Sequence, residues 1–222
     1  MPPQDVAVES IDAHRNRVRA DDRKQQAAAA SLRFIMNILV QGTATILAAD
    51  FVSGFVHWAE DAYARKDTPI IGKLIAGANI EHHIRPRAFV ERTWLESSWD
   101  LLAIGVLVIA GAWALHLLTW HVWLFVFIAI NANQIHKWAH RNPRENGTLV
   151  TFLQKIRLLQ TQRHHAHHHK GQKDTHYCSV TNVLNPVLDR AGVWRGFERI
   201  NEVLFGLQRR PDPTVKTLTP AS

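Results

Sequence analysis

The sequence predicts an all-α integral membrane protein with about three spans and a His-rich cap on the cytosolic side. Three observations carry that expectation. The apolar residues gather into two stretches, Leu32–Val56 and Leu101–Ile135, instead of spreading along the chain. No Lys or Arg occurs from Thr93 to His136. Beside these stretches histidines recur four residues apart, the spacing that puts two side chains on one face of a helix.

At 222 residues one domain is expected. Residues 1–26 read as a polar N-terminal arm, 27–205 as a single membrane domain and 206–222 as a C-terminal tail. The arm holds Asp5, Glu9, Asp12, Asp21 and Asp22 before any apolar run, which is not the pattern of a cleavable signal peptide. The formal net charge is +7, and a basic balance points to nucleic acid, to an anionic membrane surface or only to solubility. Basic residues interleaved with apolar spans speak for the membrane. The only Cys is Cys178, so neither an internal disulfide nor a Cys-held iron–sulfur cluster can form. Redox chemistry would rest on His and carboxylate ligands, with electrons from outside.

The first apolar stretch predicts one long helix from about Ala27 to Tyr63. Its membrane part carries Arg33, Asn37 and Gln41. The second stretch is too long for one span of about 20 residues. It reads as a hairpin: Leu101–Leu118, a turn near Thr119–Trp120, then Val122–Ile135. Trp113, Trp120 and Trp123 cluster at that turn, where interfacial aromatics belong. A soluble hairpin is the alternative, but few soluble helices are apolar on every face. Two crossings between His83 and His136 leave all the remaining histidine segments on one side. Most Lys and Arg lie on that side too, which makes it cytoplasmic by the positive-inside tendency.

Four separated segments bring histidines to this face. They are His57-Trp-Ala-Glu-Asp61, Glu81-His82-His83, His136-Lys-Trp-Ala-His140 and the run His164–His169. Each has a modest reading alone: an interfacial His57, an incidental His82-His83, a surface metal scavenger at His164–His169. The joint pattern has none. So many imidazoles exceed a zinc site, which closes at four ligands, and suit two metals with nitrogen-rich shells. His116 and His121 fall at the opposite face. His14, His167 and His176 stand outside the ligand pattern.

These residues resemble the Kua family of membrane lipid desaturases, which includes plasmanylethanolamine desaturase and the plant plastid phosphatidylglycerol desaturase. The likeness runs from Ala49-Asp-Phe-Val-Ser-Gly-Phe-Val-His-Trp58 through Pro69-Ile-Ile-Gly72, Glu81-His-His83 and His136-Lys-Trp-Ala-His140. It continues to His164-His165 and His168-His169, then Tyr177-Cys178, Asn185, Leu188-Asp189, Trp194 and Glu198. The resemblance implies two iron ions held by His57, His82, His83, His136, His140, His164, His165, His168 and His169, with Asp61 as a ligand or its support. It also implies dioxygen as co-substrate, a phospholipid substrate and an electron donor of cytochrome b5 or ferredoxin type. The expected reaction removes two hydrogens, forming the vinyl ether of plasmalogens. The alternatives are an ester-linked acyl chain attacked near its headgroup, and a non-catalytic membrane metal-binding or transport protein. Lys73, Arg85 and Arg87 offer charge for a phosphate headgroup.

Overall fold

The structure, a computed structural model, describes residues 3–69, 72, 76–170 and 173–211, with side chains from Arg19 onward apart from Ala20. Lys73, the Ile70-Ile71 pair, the side chain of His14 and the tail from 212 on lie outside the described residues. Among the described residues there are ten helices and no strand. Two compact units divide at Ala44 and Thr45.

Helix α1 runs from Pro3 to Tyr63. It therefore takes in the described part of the polar segment expected as a separate arm. Between Pro3 and Gly42 no Gly or Pro interrupts the chain, and Ala, Arg, Gln and Glu are strong helix formers. Helix continuity and polarity are separate properties. In the first unit, Leu32, Phe34, Ile35, Met36, Leu39 and Val40 are exposed. In the second unit the helix buries one stripe, comprising Asp50, His57, Trp58, Asp61 and Ala62. This is the period of a helix with one face on a core.

Helix α2 (Gly77–Ile84) and α3 (Pro86–Glu91) follow, with Pro86 at the first position of α3, where its missing N–H costs nothing. Helix α4 (Trp94–Ala114) opens on a capping box: the Thr93 hydroxyl accepts from the Glu96 N–H, and the Glu96 carboxylate accepts from the Thr93 N–H. The chain turns over residues 115–119 into α5 (Trp120–Ile130). Gly105 lies where α4 meets α5; a Cβ there would stand 2.8 Å from Ile130 and 3.0 Å from Val126.

The second arm of the expected hairpin is not one helix. It breaks at Asn131 between α5 and α6 (Ala132–Ala139). The Asn131 amide donates to the Phe127 carbonyl and accepts from the Trp94 indole N–H at 3.1 Å. The side chain thus takes the Phe127 carbonyl that a continuous helix would pair with the Asn131 N–H, which here donates to the Ile128 carbonyl instead. Two helices, Asp21–Tyr63 and Trp94–Ala114, are long and apolar enough to cross a membrane, and only 11% and 17% of their most apolar windows are buried. Burial this low speaks against the soluble hairpin, whose helices would be covered. At 11 residues α5 spans about 16 Å, roughly half a hydrocarbon core.

Helices α7 (Pro143–Lys155), α8 (Gln162–His168), α9 (Leu184–Arg190) and α10 (Val193–Phe205) complete the second unit. Trp58, Ala62, Tyr177, Cys178 and Trp194 form its main apolar core. Asp50 anchors the segment before α9. Its carboxylate accepts from the N–H of Val180 at 2.8 Å, the N–H of Thr181 at 3.1 Å and the Thr181 hydroxyl at 2.6 Å.

Candidate metal centre

Helices α1, α2, α6 and α8 each deliver ligand-bearing residues to one place. Eight of the nine expected histidines and Asp61 fall into two groups. The first is His82, His136, His140, His165 and His169; the second is His57, Asp61, His83 and His168. Within each group the ligand atoms lie within 4.8 Å of one another. Consecutive residues on a helix point about 100° apart. Accordingly His82 and His83 part into different groups, while His57/Asp61, His136/His140 and His165/His169 stay together at four-residue spacing. The groups adjoin, with the His57 and His136 rings 5.3 Å apart.

In the first group the Nε2 atoms of His136, His140 and His169 stand 2.8, 2.9 and 3.0 Å from His165 Nε2. A single ring nitrogen carries at most one proton, so these approaches are not three ordinary hydrogen bonds. Two nitrogens each about 2.0–2.1 Å from one ion at right angles are themselves about 3 Å apart. Both His82 nitrogens are buried with no hydrogen-bond partner. Burial, with neighbouring imidazoles adding to it, holds His82, His136 and His165 well below the usual histidine range and brings His140 to about 3. These rings are neutral at physiological pH, which is the form that binds metal.

The second group contains a carboxylate and a fixed tautomer. His57 Nδ1–H donates to the Tyr177 carbonyl at 3.0 Å, and His168 Nδ1–H donates to the Thr175 carbonyl at 2.8 Å. A carbonyl only accepts, so the proton of each neutral ring sits on Nδ1 and the lone pair on Nε2. Those bare nitrogens face Asp61 Oδ2 at 3.7 and 3.3 Å, while His83 Nε2 faces Oδ1 at 3.1 Å. Despite these approaches, both Asp61 oxygens and all three nitrogens lack a hydrogen-bond partner. Unpaired buried groups cost about 1–3 kcal/mol each, and lone pairs aimed at a carboxylate repel. A cation among them reverses both penalties. The residues fit a metal ion at each group.

A short strap, Lys173–Cys178, supplies the two carbonyls. Its place on α1 requires Gly54, where a Cβ would come within 2.6 Å of Cys178 Sγ and 2.9 Å of the Cys178 nitrogen. Asn185 accepts from the Cys178 N–H at 2.9 Å and donates to the Cys178 carbonyl at 2.8 Å. Tyr177 Oη donates to the Lys173 carbonyl and accepts from Arg209, which also bonds Glu198 at 2.5 Å. Arg209 and Arg210, the latter donating its N–H to the Ala62 carbonyl at 2.8 Å, thus tie the start of the expected tail to this unit.

His176 has a left-handed backbone, φ 60°. Its N–H and Nδ1 both reach the Asp189 carboxylate, Nδ1 at 2.9 Å from Oδ2. Spacing along the sequence gave no sign of this pair. Asp189→Ala is expected to weaken metal binding at the second group by about 10–100-fold, the usual effect of removing a residue that orients ligands. Metal retained against a graded chelator measures this, with unfolding of the metal-free chain as the fold control. Retention equal to the parent chain would show that the strap orients nothing.

His164 joins neither group. Its Nε2 accepts from the Asn185 amide at 3.1 Å, and its ring lies 5.0 Å from that of His176. Burial and the neighbouring His176 lower it to about 4. Arg85 is paired with Glu81, and Arg87 grips Glu145 through two bonds of 3.0 and 2.6 Å. Their charge is therefore already answered. Arg92, whose guanidinium also stands 3.6 Å from Glu81, lines a cavity of about 140 Å³ that reaches His57, His82 and His136. Val52, Val56, Phe89, Trp99 and Leu101 make its apolar side, and Glu60, Glu96 and Asp100 line it as well.

Helices long and apolar enough to cross a membrane, together with buried groups of histidines that could hold metal, define the class: a membrane protein with a candidate metal centre. Within that class the chain belongs to the lipid desaturase domain family, which it matches over residues 46–212. It is 33% identical over 181 residues to a probable fatty acid desaturase of Acanthamoeba polyphaga mimivirus, covering 79% of this chain and 88% of that one. It is 31% identical over 187 residues to plasmanylethanolamine desaturase 1 of Mus musculus, covering 79% and 69%. It is 32% identical over 173 residues to fatty acid desaturase 4-like 2, chloroplastic, of Arabidopsis thaliana, covering 76% and 61%. No solved structure matches. The family makes the chain a lipid desaturase, an oxidoreductase acting on a lipid.

Proposed function

We propose that this chain is a di-iron, dioxygen-dependent desaturase that forms the vinyl ether of plasmalogens from a 1-alkyl phospholipid. The observation that carries the reading is the pair of adjoining ligand groups, one of five imidazoles and one of three imidazoles with Asp61, reached by a cavity with apolar walls. Iron bound there would supply the oxidising power that protein groups lack for an unactivated C–H bond. The balance is one lipid, one dioxygen, two electrons and two protons giving one alkene and two waters. The electrons come from a cytochrome b5-like or ferredoxin-like donor.

The chain's own residues bind and orient. Val52, Val56 and Trp99 are partly exposed at the cavity and receive the lipid from the bilayer. Phe89, whose ring lies 5.1 Å from His82 and 5.2 Å from His136, keeps the inner wall apolar. Arg92, which lines the cavity, takes the phosphate in exchange for its 3.6 Å approach to Glu81, which leaves the carbons nearest the glycerol oxygen closest to the histidines. The strap carbonyls hold His57 and His168 in register. In this reading the protein is multi-pass and the site faces the cytoplasm, in the inner membrane if the cell is bacterial.

An ester-linked acyl chain is the second reading, supported by the near-equal identity to the Arabidopsis relative. The test is expression in a host lacking the activity, with 1-alkyl phospholipid, iron and donor supplied, followed by lipid mass spectrometry. An acid-labile product two hydrogens lighter is expected. New unsaturation confined to ester-linked chains would replace the first reading by the second, and no new unsaturation would remove both.

A further inference from the structure

Helix α10 carries a wider apolar face than the core covers. At about 100° per residue, Val193, Trp194, Phe197, Ile200, Val203 and Leu204 share one side. Arg195, Glu198, Arg199 and Glu202 share the other. One edge of the apolar side is used: Trp194 stacks on Phe51 and Trp58, and Phe197 meets Phe55 edge-on at 5.6 Å. The other edge is bare. Ile200 is 50% exposed, Val203 68% and Leu204 67%, with Phe205 at 67% beside them. Val183 and Val187, one turn apart at α9, are exposed as well. Contiguous exposed apolar surface of this kind marks an interaction site.

What covers it follows from α1. Phe55, with which Phe197 packs, is itself 41% exposed, and Val52 and Val56 beside it are exposed too. All three lie in the helix Asp21–Tyr63, which is apolar enough to cross a membrane. The bare surfaces of α1 and α10 therefore join at the Phe55–Phe197 contact, and the bilayer that covers one reaches the other. At 13 residues α10 is about 20 Å long and cannot cross the hydrocarbon. Its four charged residues on one side cannot enter it. A helix with these two sides lies along the interface.

We propose that α10, with the exposed valines of α9, rests in the headgroup–acyl boundary of the membrane. The Ile200–Val203–Leu204 edge is immersed, and the exposed Arg199 meets headgroup phosphates, while Arg195 is held by Asp174 at 3.4 Å. The proposal rests on the membrane placement of α1 and not on the chemistry. An aqueous α10 would leave the desaturase reading standing, and an inactive enzyme would leave this one standing. The helix also touches the strap, since Trp194 packs on Tyr177 at 5.2 Å, so its depth bears on the position of the carbonyl that holds His57.

The test uses the full chain in vesicles of phosphatidylcholine and phosphatidylglycerol. The native Cys178 is buried and sets the labelling background. Environment-sensitive fluorophores are attached to Leu204→Cys, Val203→Cys, Arg195→Cys and Glu202→Cys, each with parent-like thermal unfolding. The expected result is iodide quenching roughly threefold weaker at Leu204→Cys and Val203→Cys than at the other two. Phosphatidylcholine spin-labelled near its headgroup should quench the first pair more than lipid labelled deep in the chain. Equal iodide quenching at all four positions would place α10 in water and overturn the proposal. Stronger quenching by the deep label would overturn it in favour of a crossing segment. Protection at Leu204→Cys from iodide and from both lipids would overturn it in favour of a second copy or another protein on this face.

Discussion

His165→Ala is expected to lower desaturase activity by at least about 100-fold, beyond the range seen for residues that only orient ligands. It should also take with it the metal of the five-histidine group. His165 Nε2 is the nitrogen on which His136, His140 and His169 converge within 3.0 Å. The residue beside it gives the control. His164→Ala removes a hydrogen bond to Asn185, and Asn185 holds the strap at Cys178 without touching either group. Its loss should fall within about 10–100-fold and leave both metals bound in metal-replete buffer. Metal analysis beside turnover distinguishes the two. Equal loss of metal from both variants would make His164 a ligand and the geometric division wrong.

Asp61→Asn is the second large effect. The amide keeps the size of the side chain but not the charge that the bare Nε2 atoms of His57 and His168 face at 3.7 and 3.3 Å. The expected outcome is a loss of one metal of two, with activity down at least about 100-fold and the first group still loaded. A variant that keeps both metals and full turnover would reduce Asp61 to a structural role.

Much of this architecture is legible from residue order. The end of α1 at Tyr63, the apolar character of α4 and α5 and the gathering of four histidine segments all follow from local composition and spacing. The break at Asn131 is not legible, because it depends on the Trp94 indole, 37 residues away in sequence. Spacing alone pairs His164 with His168 as readily as His165 with His169. Tertiary contact with Asn185 sends His164 elsewhere. Asp189 and His176 were invisible as a unit for the same reason: one carboxylate fixing a left-handed residue has no periodic signature. The helix through the described part of the polar N-terminal segment has no apolar period to announce it, because helix continuity and polarity are separate properties. The pairing of Arg87 with Glu145 is not legible, since 58 residues separate them, whereas that of Arg85 with Glu81 repeats the four-residue offset.

Two adjoining groups should hold two metals of one kind, and that number can be counted. The measurement is elemental analysis of the full chain, purified in mild detergent from iron-replete cells, against protein concentration by amino-acid analysis. The account predicts two irons per chain, falling to one in Asp61→Asn. One tightly held zinc with no iron would contradict it, since redox-inert zinc cannot serve the oxidation of a lipid chain.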